Sequence, residues 1–493
     1  MPISFSSSIP GVRNALIRAE KRGKVRRLAS KIYTDDLTSA PEEVIRRHRL
    51  EIAAHFYPSA VVSHRSALEN SLSPASKLHL TVQGAVAPIR ILPGLEIRLW
   101  KGPPPQPEDP PVAFGDKPTL FMASQPRALL ENLQIARARV NDEPKILTQE
   151  ALERWLDRQL RSFGGSWLDD TQRQVDAIAD RLGWQREKTE FEALATALRG
   201  KGEGIVLISE VAKARAQGRP YDPDRDLLFR NLQARLANET FQELPAPPVA
   251  ERENRAFWEA YFSNYIEGTK FTVEDAQTIV FSPTTSPAAQ KRPADAHDVL
   301  ETYRLIVDNR ICSDTPSTPA DFLDLLKRRH ARMMASRPYV HPGVFKSENN
   351  QVGSRVFVRP ELVVSTLERA WPIARSLRSP TARALFVLFV LAEVHPFNDG
   401  NGRISRLGMN AELDGAHQMR LIFPTALRTD YLGVLEALTI RQDPEPYIRF
   451  SHKLIDMNSR MPFQSFEASH EFFKKTGALD ENLGPSMLAG LSS

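Results

Sequence analysis

Cysteine is almost missing from this sequence: Cys312 stands alone among 493 residues. A single thiol excludes an intrachain disulfide and any zinc site built from cysteines, and it agrees with a reducing compartment. Long apolar runs are missing too. The most apolar stretch, residues 382–394, is interrupted by Arg383 and Glu393 and is shorter than the ~20 residues a membrane-crossing helix needs. The opening residues, MPISFSSSIPGVRNAL, have no apolar core behind a basic stretch, as a secretion signal would. A soluble, cytoplasmic protein is expected. Charge of one sign is scarce as well. With 65 Lys and Arg against 60 Asp and Glu, the net charge is only +5, so the total points to no partner. One local exception stands out. Arg13, Arg18, Lys21, Arg22, Lys24, Arg26, Arg27 and Lys31 face Glu20 alone, which reads as a solvated helix face or a nucleic-acid contact surface.

What remains is ordinary globular material, 41% apolar and 25% charged, enough for more than one domain. Residues 1–145 mix short helices with strand-like runs, LHLTV and PIRIL, and contain the proline-rich break KGPPPQPEDPPVAFGDKP, which suits neither helix nor central strand. Residues 146–245 have helical periodicity, as in DTQRQVDAIADRLGWQ, with Gly200 as a stop. ELPAPPVAE reads as a linker, residues 246–460 are again mainly helical, and 461–493 form a tail in which SFEASHEFFKKT can make one short helix. The class expected is mainly α, with an α+β N-terminal domain and a helical connector.

The densest chemistry lies in VHPFNDGNGRISRL, residues 394–407. Ser379 and Pro380 begin a helix as N-cap and first residue. TARALFVLFVLAEV is apolar nearly all round, so that helix is expected to be buried. It delivers His395 at its end, where Pro396 stops it. Gly400 and Gly402 allow positive φ, so consecutive backbone N–H groups can form an anion nest. A second helix starts near Gly402 and runs to about Leu413 with its positive end at the nest. Arg403 and Arg406 are three apart, on one face. The set describes a polyphosphate cradle with a base beside it and a carboxylate, Asp399, able to hold a divalent cation. Phe397 is expected to anchor the loop in the core, His330 and His341 to be structural, and Glu393 to face solvent or pair locally.

His-Pro-Phe-x-Asp-Gly-Asn-Gly-Arg-x-x-Arg resembles the signature of Fic-domain proteins, matched here by His395, Pro396, Phe397, Asp399, Gly400, Asn401, Gly402, Arg403 and Arg406. The upstream LLKRRHARMM and HPGVFKSENNQVGSRVFVRPELV are also similar to that family, in which a β-hairpin flap docks the target by strand addition. Ser354, Arg355, Val356, Phe357 and Val358 fall on this flap. The resemblance implies an all-helical core with a flap over 246–460 and transfer of AMP from ATP to a Ser, Thr or Tyr hydroxyl of a target protein, the enzyme itself included. It makes His395 the general base and Asp399 the holder of Mg²⁺, or Mn²⁺ in its place. It makes Gly400, Asn401, Gly402, Arg403 and Arg406 the phosphate ligands. Removal of AMP, or use of another nucleotide, is the alternative on the same site.

Upstream, SNYIEGTKF closes an amphipathic helix over about 252–268. Its Ser263, Glu267 and Gly268 look like the inhibitory helix of Fic proteins, which implies that Glu267 pairs with Arg406 where a γ-phosphate would bind. The N-terminal region, with HRLEIAAHFYPSAVVSHRSALEN, is similar more faintly to the winged-helix region of AbiEi-type antitoxins and regulators. That likeness implies DNA contact through Arg22, Lys24, Arg26, Arg27, Lys31 and Arg65, and allows a principally regulatory protein. A protein-docking module is the competing role for this half. No membrane partner is expected; a homo-oligomer is allowed.

Overall fold

The computed structural model describes residues 3–6, 10–84, 86, 89–114, 119–136, 143–201, 205–308, 314–353 and 355–481. Cys312 and Ser354, both singled out above, lie outside the described residues. The chain divides into two compact units, Met1–Gly218 and Arg219–Ser493. No helix among the described residues is long and apolar enough to cross a membrane.

The first unit opens with β1 (Ile3–Phe5), α1 (Pro10–Lys21), β2 (Arg26–Ala29) and β3 (Ile32–Thr34). β3 lies between β1 and β2 and is antiparallel to both. Helices α2 (Pro41–Arg47) and α3 (Arg49–Phe56) follow. Next come β4 (Val61–Val62), α4 (His64–Glu69), β5 (Lys77–Val82), β6 (Arg90–Leu92), β7 (Leu95–Lys101), β8 (Pro111–Val112) and β9 (Leu120–Met122). These strands make a mixed sheet in the order β6-β7-β5-β4-β9-β8. β7 shows the two-residue period of a half-buried strand: Leu95, Ile97 and Leu99 are buried and alternate with Glu96 and Arg98. The expected strands LHLTV and PIRIL are β5 and β6. Helices α5 (Gln125–Asn132), α6 (Gln149–Phe163), α7 (Gly165–Leu182), α8 (Gln185–Leu198) and α9 (Glu210–Ala216) complete the unit. Gly200 adopts φ +71° just beyond α8, as its stop role requires.

Arg65 departs from its expected place on a DNA-facing surface. Its guanidinium donates to Glu69 at 3.0 and 3.1 Å and to Glu143 at 2.9 Å, and only 11% of the side chain is exposed. Two internal carboxylates hold it inward.

The second unit is a helical bundle around one large core. It runs through α10 (Pro223–Leu236), α11 (Arg252–Ile266), α12 (Val273–Phe281), α13 (Pro287–Lys291), α14 (Pro293–Val307) and α15 (Pro319–Met333). A short hairpin, β10 (Gln351–Val352) with β11 (Arg355–Val356), comes next. The rest is α16 (Pro360–Ser376), α17 (Pro380–Val394), α18 (Asn401–Gly415), α19 (Arg428–Arg441), α20 (Glu445–Arg460) and α21 (Phe466–Lys475). α17 is buried on all sides, as its composition requires, and packs antiparallel-fashion against α18 through the loop that joins them. The stretch read as a linker, residues 243–251, is fastened to this unit: Met419 N–H donates to the Leu244 carbonyl at 2.8 Å and Ala246 N–H to the His417 carbonyl at 3.0 Å. The tail is less loose than expected. Trp258 of α11 meets Phe466 and Phe473 of α21 at ring distances of 5.4 and 4.7 Å, and Phe473 is fully buried. Three aromatic rings bury enough area to hold this helix against the core.

Candidate active site

Ser379 caps α17 by accepting from Ala382 N–H, Pro380 fills the first position, and the helix ends at Val394. His395 follows in the left-handed region at φ 52°, ψ 60°, a conformation uncommon outside glycine. The ring is pinned: it stacks on Phe357 at 3.8 Å and 9°, and Nδ1–H donates to the Ala392 carbonyl at 3.4 Å. Nε2 is then the nitrogen with a free lone pair. Burial, helped by the Lys346 ammonium, lowers the His395 pKa to about 4, so the ring is neutral at physiological pH.

The loop behind it is tied from several directions. Phe397 is fully buried and stacks on His330 at 3.8 Å. Asn401 Oδ1 accepts from Phe397 N–H and its Nδ2 donates to the Phe397 carbonyl, both at 2.8 Å. The Asn401 side chain therefore stitches the loop; what it can offer a phosphate is its backbone at the start of α18. Gly343 N–H donates to His330 Nδ1 at 2.9 Å and His330 Nε2–H donates to the Asp399 carbonyl at 3.0 Å. That fixes one tautomer and agrees with a structural role. Gly400 has φ +75°, and a Cβ there would meet Met334 Sδ at 3.0 Å. Asp399 is exposed, with Oδ1 accepting from Gly400 N–H at 2.7 Å. One exposed carboxylate beside the N-terminus of α18 fits the donor set of Mg²⁺, which is held by one or two carboxylates together with substrate phosphates. Among the described residues no cluster of three or more metal-type ligands exists.

The two arginines part company. Arg406 is buried; Nε donates to Ser263 Oγ at 3.1 Å, and Nη2 donates to the Ser263 carbonyl at 2.9 Å and to Glu267 Oε1 at 2.8 Å. Its Nη1 is buried and makes no hydrogen bond among the described residues. Arg403 points into the bundle instead, where Nη1 donates to Asp298 Oδ2 at 2.8 Å and Asn264 Oδ1 at 3.1 Å. Glu267 caps α11, and Gly268 behind it turns the chain at φ +92°. The Glu267 carboxylate rests on the first turn of α18: a Cβ added to Gly402 would lie 2.0 Å from Glu267 Oε1. Glu267, Phe357, His395, Gly402, Arg406 and Tyr431 share the lining of one cavity of about 450 Å³.

Residues that the motif does not name hold this arrangement. Glu393 was expected to face solvent or pair locally. It is fully buried, accepts from Arg225 Nε at 3.1 Å and Thr439 Oγ1 at 2.6 Å, and pairs with Arg355 of the flap. Arg225 Nη2 also donates to the Val356 carbonyl at 3.0 Å, so β11 is moored to α10. Val358 is buried and Val356 is exposed. Lys346, buried, donates to Asn350 Oδ1 at 2.6 Å and to the Val394 carbonyl at 3.3 Å, and burial lowers its pKa to about 7. The partners of Glu393 and Arg225 are distant in sequence, so no local pattern announced their roles. Glu393→Ala leaves two cations facing a void, and a loss of about 3–5 kcal/mol in unfolding free energy is expected, measured by urea denaturation.

Acid should weaken this unit through its histidines. His330 and His395 are both held near pKa 4 by burial, against 6.5 when unfolded. As pH falls below 6.5 the unfolded chain takes up protons that the folded one refuses. Stability is therefore fully present above about pH 6.5 and declines until about pH 4, by ~1.4 kcal/mol per histidine per pH unit. Urea midpoints across this window test the slope.

With this geometry in view, the likeness to known proteins is specific. The Fic/DOC family model matches residues 320–413. The protein adenylyltransferases Fic of Drosophila erecta and Drosophila melanogaster are each 29% identical over 209 residues. The first match covers 40% of this chain and 40% of the fly protein; the second covers 40% and 41%. The chain thus spans about two fifths of the length of these curated relatives. Among solved structures, a Fic domain containing signaling protein from Bacteroides thetaiotaomicron is 18% identical with a TM-score of 0.37, covering 50% of this chain and 98% of that one. A Fic family protein from Desulfovibrio desulfuricans is 18% identical with a TM-score of 0.34, covering 52% and 77%. The segment that carries His395, the glycine loop and Arg406 is a Fic domain, in a chain that is mainly α-helical.

Proposed function

We propose that this protein is an ATP-dependent protein adenylyltransferase whose resting state is switched off by Glu267. One observation carries the reading: a carboxylate sits on the helix N-terminus and arginine of a phosphate nest, in the same cavity as a neutral, immobilised histidine. In the transfer, the target hydroxyl oxygen bonds to the α-phosphorus of ATP and the bond to the bridging β-phosphate oxygen breaks. Pyrophosphate leaves, and the hydroxyl proton passes to His395 Nε2. The N–H groups at the start of α18 and the Arg406 guanidinium face the charge that shifts onto the phosphates. Asp399 would hold Mg²⁺, which when bound neutralises phosphate charge. The exposed edge of β10 and β11 offers backbone groups to the target segment.

The test is incubation of the Glu267→Gly protein with ATP radiolabelled at either the α- or the γ-phosphate, in the presence of Mg²⁺ and cell lysate. Label in excess of that in lysate without the added protein is expected from the α-position only. Excess label from the γ-position identifies a kinase and overturns the proposal.

A second role, DNA contact by the N-terminal unit, is favoured by one observation. Arg22, Lys24, Arg27 and Lys31 are exposed and none of them forms an ion pair within the described residues. Binding of the full-length protein to duplex DNA should fall steeply with salt; salt-independent binding, or none at low salt, removes this role.

A further inference from the structure

The first turn of α11 borders a second cavity, of about 380 Å³, far along the helix from Ser263 and Glu267. Val249, Ala250, Ile306 and Ile422 supply apolar wall. Arg252 and Arg255, three apart and therefore on one helix face, supply two guanidinium groups. Their surroundings are unusual. Arg255 is 6% exposed. Its polar contact is a long one, Nη2 to the Arg420 carbonyl at 3.4 Å, and its guanidinium lies 4.1 Å from the Phe463 ring centroid. Among the described residues no carboxylate reaches ion-pair distance of it. Arg252 is exposed and, among the described residues, likewise forms no ion pair.

The nearby acids do not make up this deficit. Glu259 is taken by Arg420 at 2.7 and 2.8 Å and by Asn410 at 2.9 Å. Asp414 faces Arg420 at 3.9 Å, Glu253 lies on the exposed rim, and Glu251, at the N-cap of α11, acts on Arg255 through space and offsets only part of the burial. Two physical costs therefore coincide at Arg255. Desolvation lowers its pKa to about 10, and a cation in the first turn opposes the helix dipole. An oxyanion in the cavity would relieve both, because a helix N-terminus and paired guanidinium forks favour the same charge. The apolar walls would bury the body that carries it.

We propose that this cavity is a binding site for a small amphipathic oxyanion, a carboxylate or phosphate head on a short apolar body, with Arg255 and Arg252 holding the head. The inference concerns binding alone and does not depend on the transferase reading.

Calorimetric titration of the full-length protein with octanoate, octyl phosphate and inorganic phosphate tests it. At least one octyl compound should bind, and whichever binds more tightly identifies the head group. Arg255→Met should weaken that binding about tenfold or more, and Arg252→Met, at an exposed position that folding tolerates, should weaken it several-fold. Inorganic phosphate should bind far more weakly than octyl phosphate. No heat from either octyl compound, or undiminished binding in folded Arg255→Met and Arg252→Met, overturns the site. Equal binding of the two phosphates overturns its amphipathic character.

Discussion

Replacing Glu267 with glycine should raise AMP transfer by about two to three and a half orders of magnitude. The reason is competition for one cation. Arg406 is buried and already directs Nη2 to Glu267 Oε1 at 2.8 Å, while the same carboxylate covers the first turn of α18 at Gly402. A phosphate that binds there must displace a charge from a mostly buried pair, which costs about 3–5 kcal/mol, a factor of roughly 10² to 4 × 10³. Glycine removes the carboxylate while Ser263 still holds Arg406 through Nε and Nη2. The position also tolerates glycine structurally, since Glu267 caps the helix rather than continuing it. Initial rates of α-phosphate label incorporation for wild type and variant provide the measurement. Equal rates in two folded proteins would mean that Glu267 is not a brake, and would turn attention to removal of AMP or to another nucleotide.

The second large effect is expected in the activated background. Adding His395→Ala to Glu267→Gly should cost about 10²–10⁴-fold in rate, the usual contribution of a positioned general base, with nucleotide affinity little changed. The geometry supports a specific proton path. Nδ1–H is engaged with the Ala392 carbonyl, so Nε2 must be the acceptor. The left-handed backbone at His395 complicates alanine, which adopts it at some cost. Asparagine enters this region more easily, so His395→Asn separates lost chemistry from backbone strain. Both variants should be comparably inactive while still binding a fluorescent ATP analogue. An active His395→Asn protein would falsify the role of the imidazole as base.

Much of this site is local in origin and was legible from residues 394–407. The helix before the loop follows from a capped apolar run, its end from Pro396, and the turn from Gly400, which takes positive φ, whereas Gly402 is already helical. Other features had no local cause. Glu393 reads as a polar residue near a helix end, yet it is the buried mooring of Arg225, Arg355 and Thr439, which come from three separate segments. Arg403 and Arg406 share a helix face, and their spacing assigns both to phosphate. Asp298 lies on α14, more than a hundred residues away, and draws Arg403 inward. Asn401 is equally ambiguous in isolation; only its two bonds to Phe397 show it to be a stitch. Arg65, basic in a basic region, was turned inward by Glu143.

The sequence by itself determined the order of elements around the motif and the placing of His395, Gly400 and Glu267 at helix ends and turns. These follow from periodicity, capping and backbone freedom, which act over a few residues. Tertiary structure alone decided which charge meets which: Glu267 with Arg406, Asp298 with Arg403, Glu393 with the flap, and, among the described residues, no carboxylate at ion-pair distance of Arg255. Ion pairing and burial depend on distances between segments remote in the chain, and those distances exist only once the hydrophobic core has assembled the helices.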